Sequence, residues 1–492
     1  MRKLAALYRP SLALLTDLYQ LTMASAAWRS GWHDREAVFH LSFRKNPFGG
    51  GFTVACGLEH ALDYLGELRF TEDDRDYLAQ LAAPGGDPLF DGEFLEALLR
   101  MPLGLDVDAV PEGTVVFPHE PLVRVRGPII PCMLVETALL NIVNFQTLIA
   151  TKAARIAIAA RGEPVLEFGL RRAQGIDGAL TASRAAYVGG CAATSNVLAG
   201  RLFDIPVRGT HAHSWVMLFD GEREAFDTYA RALPHNCVFL VDTYDTLEGV
   251  RNAIEVGRTL RRTGHELLGV RLDSGDLAYL SLEARRLLDA AGFERTHIFA
   301  SNDLDEHVIA SLKEQGAAIA VWGVGTRLVT GYDEPALGGV YKLSAVRRPG
   351  ENWQYRVKLS EQAVKVSTPG ILQVRRFASA DALVADGVYD EELGWSDAER
   401  TIIDPLDMTR RRRIARELAY SDLLVPVMRA GRPVYESPPL ARIRERTLSE
   451  LTRLPVGVKR FLNPHEYPVG LEPSLHETKT RLVLEARKVV AR

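Results

Sequence analysis

The hydrophobic and polar positions of this chain follow two alternating patterns from about residue 136 onward. Long amphipathic segments, which predict helices, are separated by short and continuous apolar runs of the kind that forms strands. Because these runs do not alternate with polar residues, they predict parallel strands that are covered by helices on both faces. The runs are residues 164–168, 205–207, 237–241, 267–270, 297–300 and 318–322.

Polar residues or glycines follow each predicted strand directly. In chain order these clusters read GLRR, GTHAHS, DTYD, RLDSGD, ASND and VWGVGT. The loops after the strands of an α/β barrel build the active site at one rim, and a succession of such clusters fits that arrangement. A Rossmann-like sheet would instead concentrate its glycine signature after the first strand. The pattern therefore favours an α/β fold with an incomplete or irregular TIM-like barrel.

The two ends of the chain have a different pattern and predict a second α/β domain that is built from both of them. A Pro-rich, strand-like stretch precedes residue 136, and short strand-like runs return after about residue 342, followed by charged helical segments. We predict that residues 136–344 form the barrel, and that residues 1–135 and 345–492 pack together as the second domain. A chain of 492 residues is also too long for one small core.

Composition narrows the class of function. The formal net charge of −4, without a long run of Lys or Arg, argues against a nucleic-acid partner. The four cysteines lie far apart and form no CxxC pair, which argues against a disulfide framework or a structural zinc site and favours a reducing compartment. We find no apolar run of the length that a membrane helix needs, and Arg9-Pro10 interrupts the apolar N-terminus. We therefore predict a cytoplasmic protein with no membrane partner.

His211 and His213 are spaced so that both imidazoles would lie on the same side of an extended segment. Such a pair can bind a divalent metal, can carry a proton or a phosphoryl group, or can be a hydrogen-bonded structural pair. No second cluster of His or Glu completes a tight metal site, which weakens the first interpretation. The choice among the three stays open at this point.

Two other clusters can bind anions. Arg271 and Asp273 lie on one face of a strand end, where the guanidinium can bind a carboxylate or phosphate and the Asp can bind sugar hydroxyls or Mg²⁺. A salt bridge, with Ser274 or Asp276 as a helix N-cap, is the plainer alternative. The glycines of the segment 322–326 leave backbone N–H groups free for a phosphate.

Together these blocks resemble the nicotinate phosphoribosyltransferase family. The resemblance runs from about residue 14 to about residue 375 and is carried by TDLYQLTM, SFRKNPFGGGFTVACGLEHAL, EFGLRRAQG, GTHAHS, RLDSGDL, ASNDLDE and WGVGTRLVT. It implies that nicotinate displaces pyrophosphate from phosphoribosyl pyrophosphate, with Mg²⁺, coupled to ATP hydrolysis, in a homodimer with active sites at the subunit interface. The later segment KVSTPGILQV departs from the family, because Ile371 stands where the family usually has Lys.

The resemblance also implies roles for individual residues. His213 would be phosphorylated by ATP, and Asp273, the second catalytic candidate, would hold the ribose. The nicotinate contacts would be Tyr19 from the neighbouring subunit, Phe168, Thr210 and Arg271. The contacts of the phosphoribosyl and phosphate groups would be Arg44, Arg171, Ser301, Asn302, Gly323, Gly325 and Thr326.

The segment Thr194-Ser195-Asn196 bears on the choice between the acid and the amide. Relatives that use nicotinamide place an Asp near this segment, where a carboxylate would accept a hydrogen bond from the amide and repel an acid. The neutral groups of this chain therefore favour nicotinate. Two other hypotheses are a metal-dependent barrel hydrolase that uses the HxH pair, and a non-catalytic ligand-binding protein.

Overall fold

The computed structural model describes residues 12–397 and 400–490, which divide into two compact units. The central unit comprises Leu148–Pro335 and Pro439–Leu448, and the terminal unit comprises the remainder. The sequence analysis placed the limits of the barrel at residues 136 and 344, whereas the main segment of the central unit runs from 148 to 335. The segment Pro439–Leu448 joins the central unit through long-range contacts, since Arg444 donates hydrogen bonds to the carbonyl oxygens of Gly190 and Cys191 (3.0 and 2.8 Å).

Parallel strands form the core of the central unit, as the apolar runs predicted. They are β1 (Val165–Glu167), β2 (Ala193–Thr194), β3 (Val238–Leu240), β4 (Gly269–Leu272), β5 (His297–Ala300) and β6 (Val321–Val324). Their order in the sheet is β2-β1-β6-β5-β4-β3. The predicted strand 205–207 forms only an isolated parallel bridge, from Val207 to Thr194, and the short strand β2 was not predicted.

Helices connect the strands, and their N-caps stand at the strand ends. Asp245, Asp276 and Asp305 each accept a hydrogen bond from a backbone N–H of the first helical turn, which satisfies donors that would otherwise have no partner. The helices with residues in this unit are Glu136–Ala159, Gly175–Val188, Val197–Phe203, His213–Val216, Glu222–Ala232, Thr246–Arg262, Leu277–Ala290, Glu306–Glu314, Thr326–Val329 and Leu440–Arg453.

In the described residues the terminal unit has three sheets, and the largest of them combines strands from both ends of the chain. A seven-stranded sheet has the order Gln354–Tyr355, Val340–Arg347, Glu36–Ser42, Val123–Pro128, Asp106–Ala109, Val425–Arg429, Arg432–Pro433. A six-stranded sheet has the order Arg411–Arg413, Thr401–Ile403, Val469–Leu471, Leu383–Asp390, Leu372–Ala378, Ala419–Asp422. Thr53–Val54 pairs with Val115–Val116. The helices are Leu18–Arg29, Leu58–Glu67, Glu72–Ala79, Gly92–Arg100, Ile129–Leu134 and Pro473–Val490.

One helical stretch, Ile129–Ala159, is long and apolar enough to cross a membrane by length and composition. This differs from the sequence-based expectation that no apolar run reaches that length. Two charged residues within it, Lys152 and Arg155, are buried, and each pairs with the buried Glu306 (2.8 and 2.7 Å). Its most apolar window has a mean hydropathy of 1.5 and is 56% buried, and since a buried core helix passes the same test, the stretch is weak evidence for a membrane span.

Candidate active site

Side chains from adjacent strand ends share one face of the central sheet. Leu166 of β1 lies opposite Gly323 of β6, and Ala300 of β5 lies opposite Leu272 of β4. Because successive residues of a strand alternate between faces, Phe168, Gly323, Ser301, Arg271 and Asp273 belong to the same face. Those five are all residues that the sequence analysis selected.

The ring of Phe168 lies against glycine backbone. A Cβ atom added to Gly323 would come within 2.8 Å of the ring carbons Cδ2 and Cε2, and one added to Gly325 would lie 3.2 Å from the Phe168 carbonyl oxygen. The Phe168 N–H donates to the carbonyl oxygen of Val324 (2.8 Å). The turn at Phe168 and the segment that ends at Thr326 therefore pack together, with no room for a side chain at Gly323 unless the Phe168 ring moves and little room at Gly325.

Arg271 and Thr210 are direct partners, since Nη1 of Arg271 donates to Oγ1 of Thr210 (2.6 Å). Burial lowers the pKa of Arg271, while Asp273 and Asp242 act in the opposite direction and the charge of Arg171 lowers it further. The buried Nε of Arg271 has no hydrogen-bond partner within the described part of the chain. A buried guanidinium with a spare donor is suited to bind a carboxylate.

His213 is partly open to solvent and lies close to Asp273. Its Nδ1 is 3.1 Å from Oγ1 of Thr243, and its Nε2 is 3.7 Å from Oδ2 of Asp273. The side chain is 41% exposed and begins the helix His213–Val216. An imidazole with one nitrogen held by the protein and the other beside a carboxylate can act as a nucleophile or transfer a proton.

His211 has a different environment, contrary to the expectation that both imidazoles of the HxH pair lie on one side. It packs near Phe226, Tyr229 and Phe239, and its Nε2 accepts a hydrogen bond from the N–H of Leu240 (3.3 Å). Burial lowers the pKa of His211 to about 4. The extended geometry ends where the helix begins at His213, so the two rings separate and His211 is a neutral structural residue.

Asp242 is a residue of this face that sequence reasoning did not assign, although the DTYD cluster was noticed. Its Oδ2 accepts hydrogen bonds from the N–H of Asp273 (2.8 Å) and from Oγ of Ser274 (2.7 Å). Its Oδ1 is buried and has no hydrogen-bond partner among the residues described. Among all the residues that the structure describes, no group of three or more His, Cys, Asp or Glu side chains is arranged to hold a metal ion.

The loop after β5 contributes Ser301 and Asn302. Oγ of Ser301 donates to Oδ1 of Asp273, whereas Oδ1 of Asn302 accepts from the N–H of Asp303 (2.8 Å). Asn302 has a φ of 119°, a conformation that L-residues rarely adopt and that costs about 1–3 kcal/mol. Farther along, Asp305 forms an ion pair with Arg327 (2.5 Å), which ties this loop to the helix after Gly325.

The other predicted site residues have separate positions. Arg171 is exposed on the short 3₁₀ helix Leu170–Arg172, directly after the Phe168 turn. Tyr19 lies on the helix Leu18–Arg29 of the terminal unit, where its side chain is 48% exposed. Burial and the charge of Glu136 raise its pKa.

Arg44 lines a basic cavity within the terminal unit. The cavity is lined by His40, Ser42, Arg44, His119, Pro121, Val340, Lys342, Val364, Lys365, Val366, Ser367, Thr368 and Leu372. Burial, with the charges of Lys479 and Arg44, lowers the pKa of His119 to about 4. Ile371, at the position where the family usually has Lys, packs into the core against Val38 and Ala345, and its aliphatic side chain has no donor to offer an anion.

The carboxyl edge of the parallel sheet brings together a buried arginine, a His–Asp pair and an aromatic ring that packs on glycine backbone. This combination is typical of one class of protein. It is that of α/β enzymes that bind a small, anionic, ring-containing substrate at the strand ends. Family models then identify the member of this class. The nicotinate phosphoribosyltransferase N-terminal domain matches residues 14–144, the nicotinate phosphoribosyltransferase family model matches residues 164–354, and the C-terminal domain matches residues 372–479. The chain belongs to the nicotinate phosphoribosyltransferase family.

Individual relatives agree over almost the whole chain. Nicotinate phosphoribosyltransferase of Bacillus subtilis is 43% identical, covering 96% of this chain and 97% of that protein. The Dictyostelium discoideum enzyme of the same name is 38% identical, with 96% and 88% covered. The crystal structure of human nicotinic acid phosphoribosyltransferase superposes with a TM-score of 0.82 at 33% identity, covering 96% of this chain and 100% of that one.

Proposed function

We infer that this protein forms nicotinate mononucleotide and pyrophosphate from nicotinate and phosphoribosyl pyrophosphate, the first step of NAD salvage from nicotinate. Membership of the family establishes the enzyme type, and the relatives match across nearly the full length of the chain. The observation that carries the inference at the site is Arg271, which is hydrogen-bonded to Thr210 and shares a sheet face with Phe168, whose ring packs against the backbone of Gly323. The remaining assignments below are proposals.

We propose that the central sheet is an incomplete α/β barrel. Its neighbour order, extended by the bridge at Val207, is the chain order of the strands closed into a ring with one interruption between Val207 and β3. Across that interruption, the side chain of His211 accepts a hydrogen bond from the backbone of Leu240, and Asn236 donates to the carbonyl oxygen of Gly209 (3.4 Å). Hydrogen bonds that involve side chains thus replace the backbone hydrogen bonds that would join neighbouring strands of a closed barrel.

Nicotinate would bind with its ring on Phe168 and its carboxylate on Arg271 and Thr210. The unpartnered Nε of Arg271 supports this, because a buried donor without an acceptor is unfavourable until an anion arrives. The second aromatic residue, Tyr19, would come from the neighbouring subunit of a homodimer. Its exposure in the terminal unit is consistent with that role.

The phosphoribosyl and phosphate groups would bind at Arg171, Ser301, Asn302, Gly323, Gly325 and Thr326, with Arg44 reaching them from the other subunit. The cavity around Arg44 supports an anionic ligand, since it also contains Lys342 and Lys365. During transfer the C1–O bond to pyrophosphate breaks and a bond forms from C1 to the ring nitrogen. Positive charge develops on the ribose, and the carboxylates of Asp273 and Asp242 favour it.

The acidic pair also fits Mg²⁺. Mg²⁺ is usually held by one or two carboxylates together with substrate phosphates, and Asp242 offers a buried oxygen without a partner beside the partly exposed Asp273. When bound with phosphoribosyl pyrophosphate, the ion would neutralise charge on the departing pyrophosphate.

His213 would couple the reaction to ATP. In this step Nε2 attacks the γ-phosphorus, ADP leaves, and a phosphohistidine forms; hydrolysis of the phosphohistidine during turnover then releases phosphate. The open Nε2 and the anchored Nδ1 support His213 rather than His211. We further propose that the protein acts in the cytoplasm on small molecules, without nucleic-acid or membrane partners.

The function is tested with labelled nicotinate, phosphoribosyl pyrophosphate and Mg²⁺, with and without ATP, beside a nicotinamide control. We expect nicotinate mononucleotide from the acid only, and more of it with ATP. No product from either base would contradict the function. Inactivation by chelators of a reaction that needs neither ATP nor phosphoribosyl pyrophosphate would point to the hydrolase hypothesis.

A further inference from the structure

Glu167 is a fully buried carboxylate at the end of β1, on the face opposite to Phe168. Its Oε1 accepts a hydrogen bond from the N–H of Gly169, and its Oε2 accepts from Oγ of Ser183 (2.8 Å) and Oγ1 of Thr194 (2.6 Å). Neither the family roles nor the substrate face accounts for this residue. Glu167 directly precedes Phe168 and the turn that continues to Arg171.

The acceptors and donors around Glu167 form a connected network. Ser183 lies in the helix Gly175–Val188 and Thr194 ends β2, so both hydroxyls are carried by regular elements. Asn196 joins the two, because its Nδ2 donates to Oγ of Ser183 (3.2 Å) and its N–H donates to Oγ1 of Thr194 (3.0 Å). A buried network with all its members bonded holds one geometry, so the carboxylate is fixed in place.

The turn that Glu167 contacts also packs against a helix. A Cβ atom added to Gly169 would lie 2.3 Å from Cγ1 of Val329, so the helix Thr326–Val329 packs directly on the backbone there. The backbone at Gly169 is therefore in contact with both the Glu167 carboxylate and the helix Thr326–Val329. The turn carries Phe168 at one end and Arg171 at the other.

We propose that Glu167 is a positioning residue: by binding the N–H of Gly169 it fixes the turn that presents Phe168 to the nicotinate ring and Arg171 to the phosphates. The inference rests on the proposed roles of Phe168 and Arg171. It assigns to Glu167 no contact with a substrate. Loss of the Gly169 contact would let the turn move, and a misplacement of about 1 Å can reduce a rate by up to about a hundredfold.

Two conservative substitutions distinguish position from charge. Glu167→Asp keeps the carboxylate but is shorter by one methylene, so it withdraws from the N–H of Gly169. Glu167→Gln keeps Oε1 as an acceptor for Gly169, and its amide can donate to the hydroxyls of Ser183 and Thr194, which can rotate to accept. Positioning therefore predicts that Asp is the more damaging change, whereas a need for negative charge predicts the reverse.

The test is steady-state kinetics of the two variants with both substrates, together with melting temperatures. We expect Glu167→Asp to raise KM for nicotinate and for phosphoribosyl pyrophosphate by about tenfold, and Glu167→Gln to stay within about threefold of the parent. Ser281→Ala is the matched control: this buried serine lies on the helix Leu277–Ala290, away from the turn, where it donates to the carbonyl oxygen of Ala278 and accepts from the N–H of Ala318. It should lower the melting temperature and leave both KM values unchanged.

An Asp variant that melts at a lower temperature but keeps the KM values of the parent would overturn the proposal, as would a Gln variant that is worse than Asp. Phe168→Ala separates this outcome from a failure of the proposed function. If Phe168→Ala leaves KM for nicotinate unchanged, the stacking role fails. If it raises KM and Glu167→Asp does not, only the positioning role fails.

Discussion

In the proposed site, Arg271 is the residue that would select the ligand. Its guanidinium is mostly buried, one nitrogen is held by Thr210, and another has no partner among the residues described. Such a group discriminates between substrates mainly because a ligand without an acceptor would leave its buried N–H donors unpaired. This penalty is larger than the net free energy that the hydrogen bond to the right ligand contributes. At the scale of the residue, the proposed preference for an acid would therefore depend on this side chain.

We expect Arg271→Ala to raise KM for nicotinate about 10–100-fold, since a hydrogen bond to a charged group contributes ~1.5–3 kcal/mol. Initial rates at varied nicotinate concentrations measure the effect. Arg258→Ala, which removes an exposed arginine that pairs with Glu255, is the control and should have no effect. A KM that does not change in the Arg271 variant would remove this residue from the carboxylate site.

His213→Ala tests the phosphohistidine. The variant should lose the stimulation by ATP and keep a slow ATP-independent reaction, because Arg271 and Asp273, which are proposed to bind the substrates, remain. Product formation with and without ATP is the measurement, and His265→Ala, which lies before β4 at the other end of the strand, is the control. Undiminished stimulation by ATP would exclude His213 as the phosphorylated residue.

Packing between elements places charge in the interior of the terminal unit. Arg376 of one strand pairs with Asp386 of the next and with Glu450 of a helix (2.5 and 3.1 Å). Glu120 lies beside this cluster, fully buried, and its carboxylate accepts a hydrogen bond from the N–H of Phe117 (2.9 Å). Burial, together with the charge of Asp386, raises the pKa of Glu120 well above its usual range. Between the ordinary pKa of a glutamate and this raised pKa, the folded protein therefore holds a proton that the unfolded chain has released.

This gives a pH dependence of stability. A carboxyl group with a raised pKa in the folded state contributes stability below its ordinary pKa, and that contribution is lost as the pH rises toward the folded value. We expect Glu120→Gln, which keeps an acceptor for Phe117 and has no proton to lose, to be more stable than the parent above about pH 5, by up to roughly 1.4 kcal/mol per pH unit. Urea unfolding between pH 5 and 8 measures this.

The matched control for that series is Glu351→Gln, because Glu351 is exposed. Its unfolding curves should follow the parent at every pH. A Glu120→Gln variant whose advantage does not grow with pH would contradict the assignment of a buried proton to Glu120.

At the scale of the whole molecule, the proposed active site needs two copies of the chain. Tyr19 and Arg44 belong to the terminal unit, and the nicotinate and phosphate contacts of the strand ends belong to the central unit. If one subunit supplies Tyr19 to the site that contains the other subunit's His213, then the two sets of residues are functionally separable.

Mixing Tyr19→Ala with His213→Ala protein tests this arrangement. A hybrid dimer has one site with both residues intact, so random exchange should restore roughly a quarter of the ATP-stimulated sites of the parent. Activity after co-refolding, with exchange followed by differently tagged subunits, is the measurement. No recovery despite demonstrated exchange would count against a shared site.

Much of the fold could be predicted because its signal is local. The apolar runs 164–168, 237–241, 267–270, 297–300 and 318–322 became β1, β3, β4, β5 and β6, since strands buried on both faces must be continuously apolar. The same local rule did not find β2, which is only two residues long, and it overstated 205–207, which forms a single bridge. Strand pairing depends on distant partners that a local pattern does not contain.

The sequence by itself determined the family, the reaction and the set of strand-end residues, because motifs such as GTHAHS and RLDSGDL keep the residue types that the chemistry requires. Only the tertiary structure decided which of them have a face and partners in common. It separated the environments of His213 and His211, brought Asp242 next to Asp273, and placed Ile371 in the core. It also revealed Glu167, whose partners lie 2, 16 and 27 residues away. Such roles follow from burial and from contacts across the sheet, which arise only when the chain is folded.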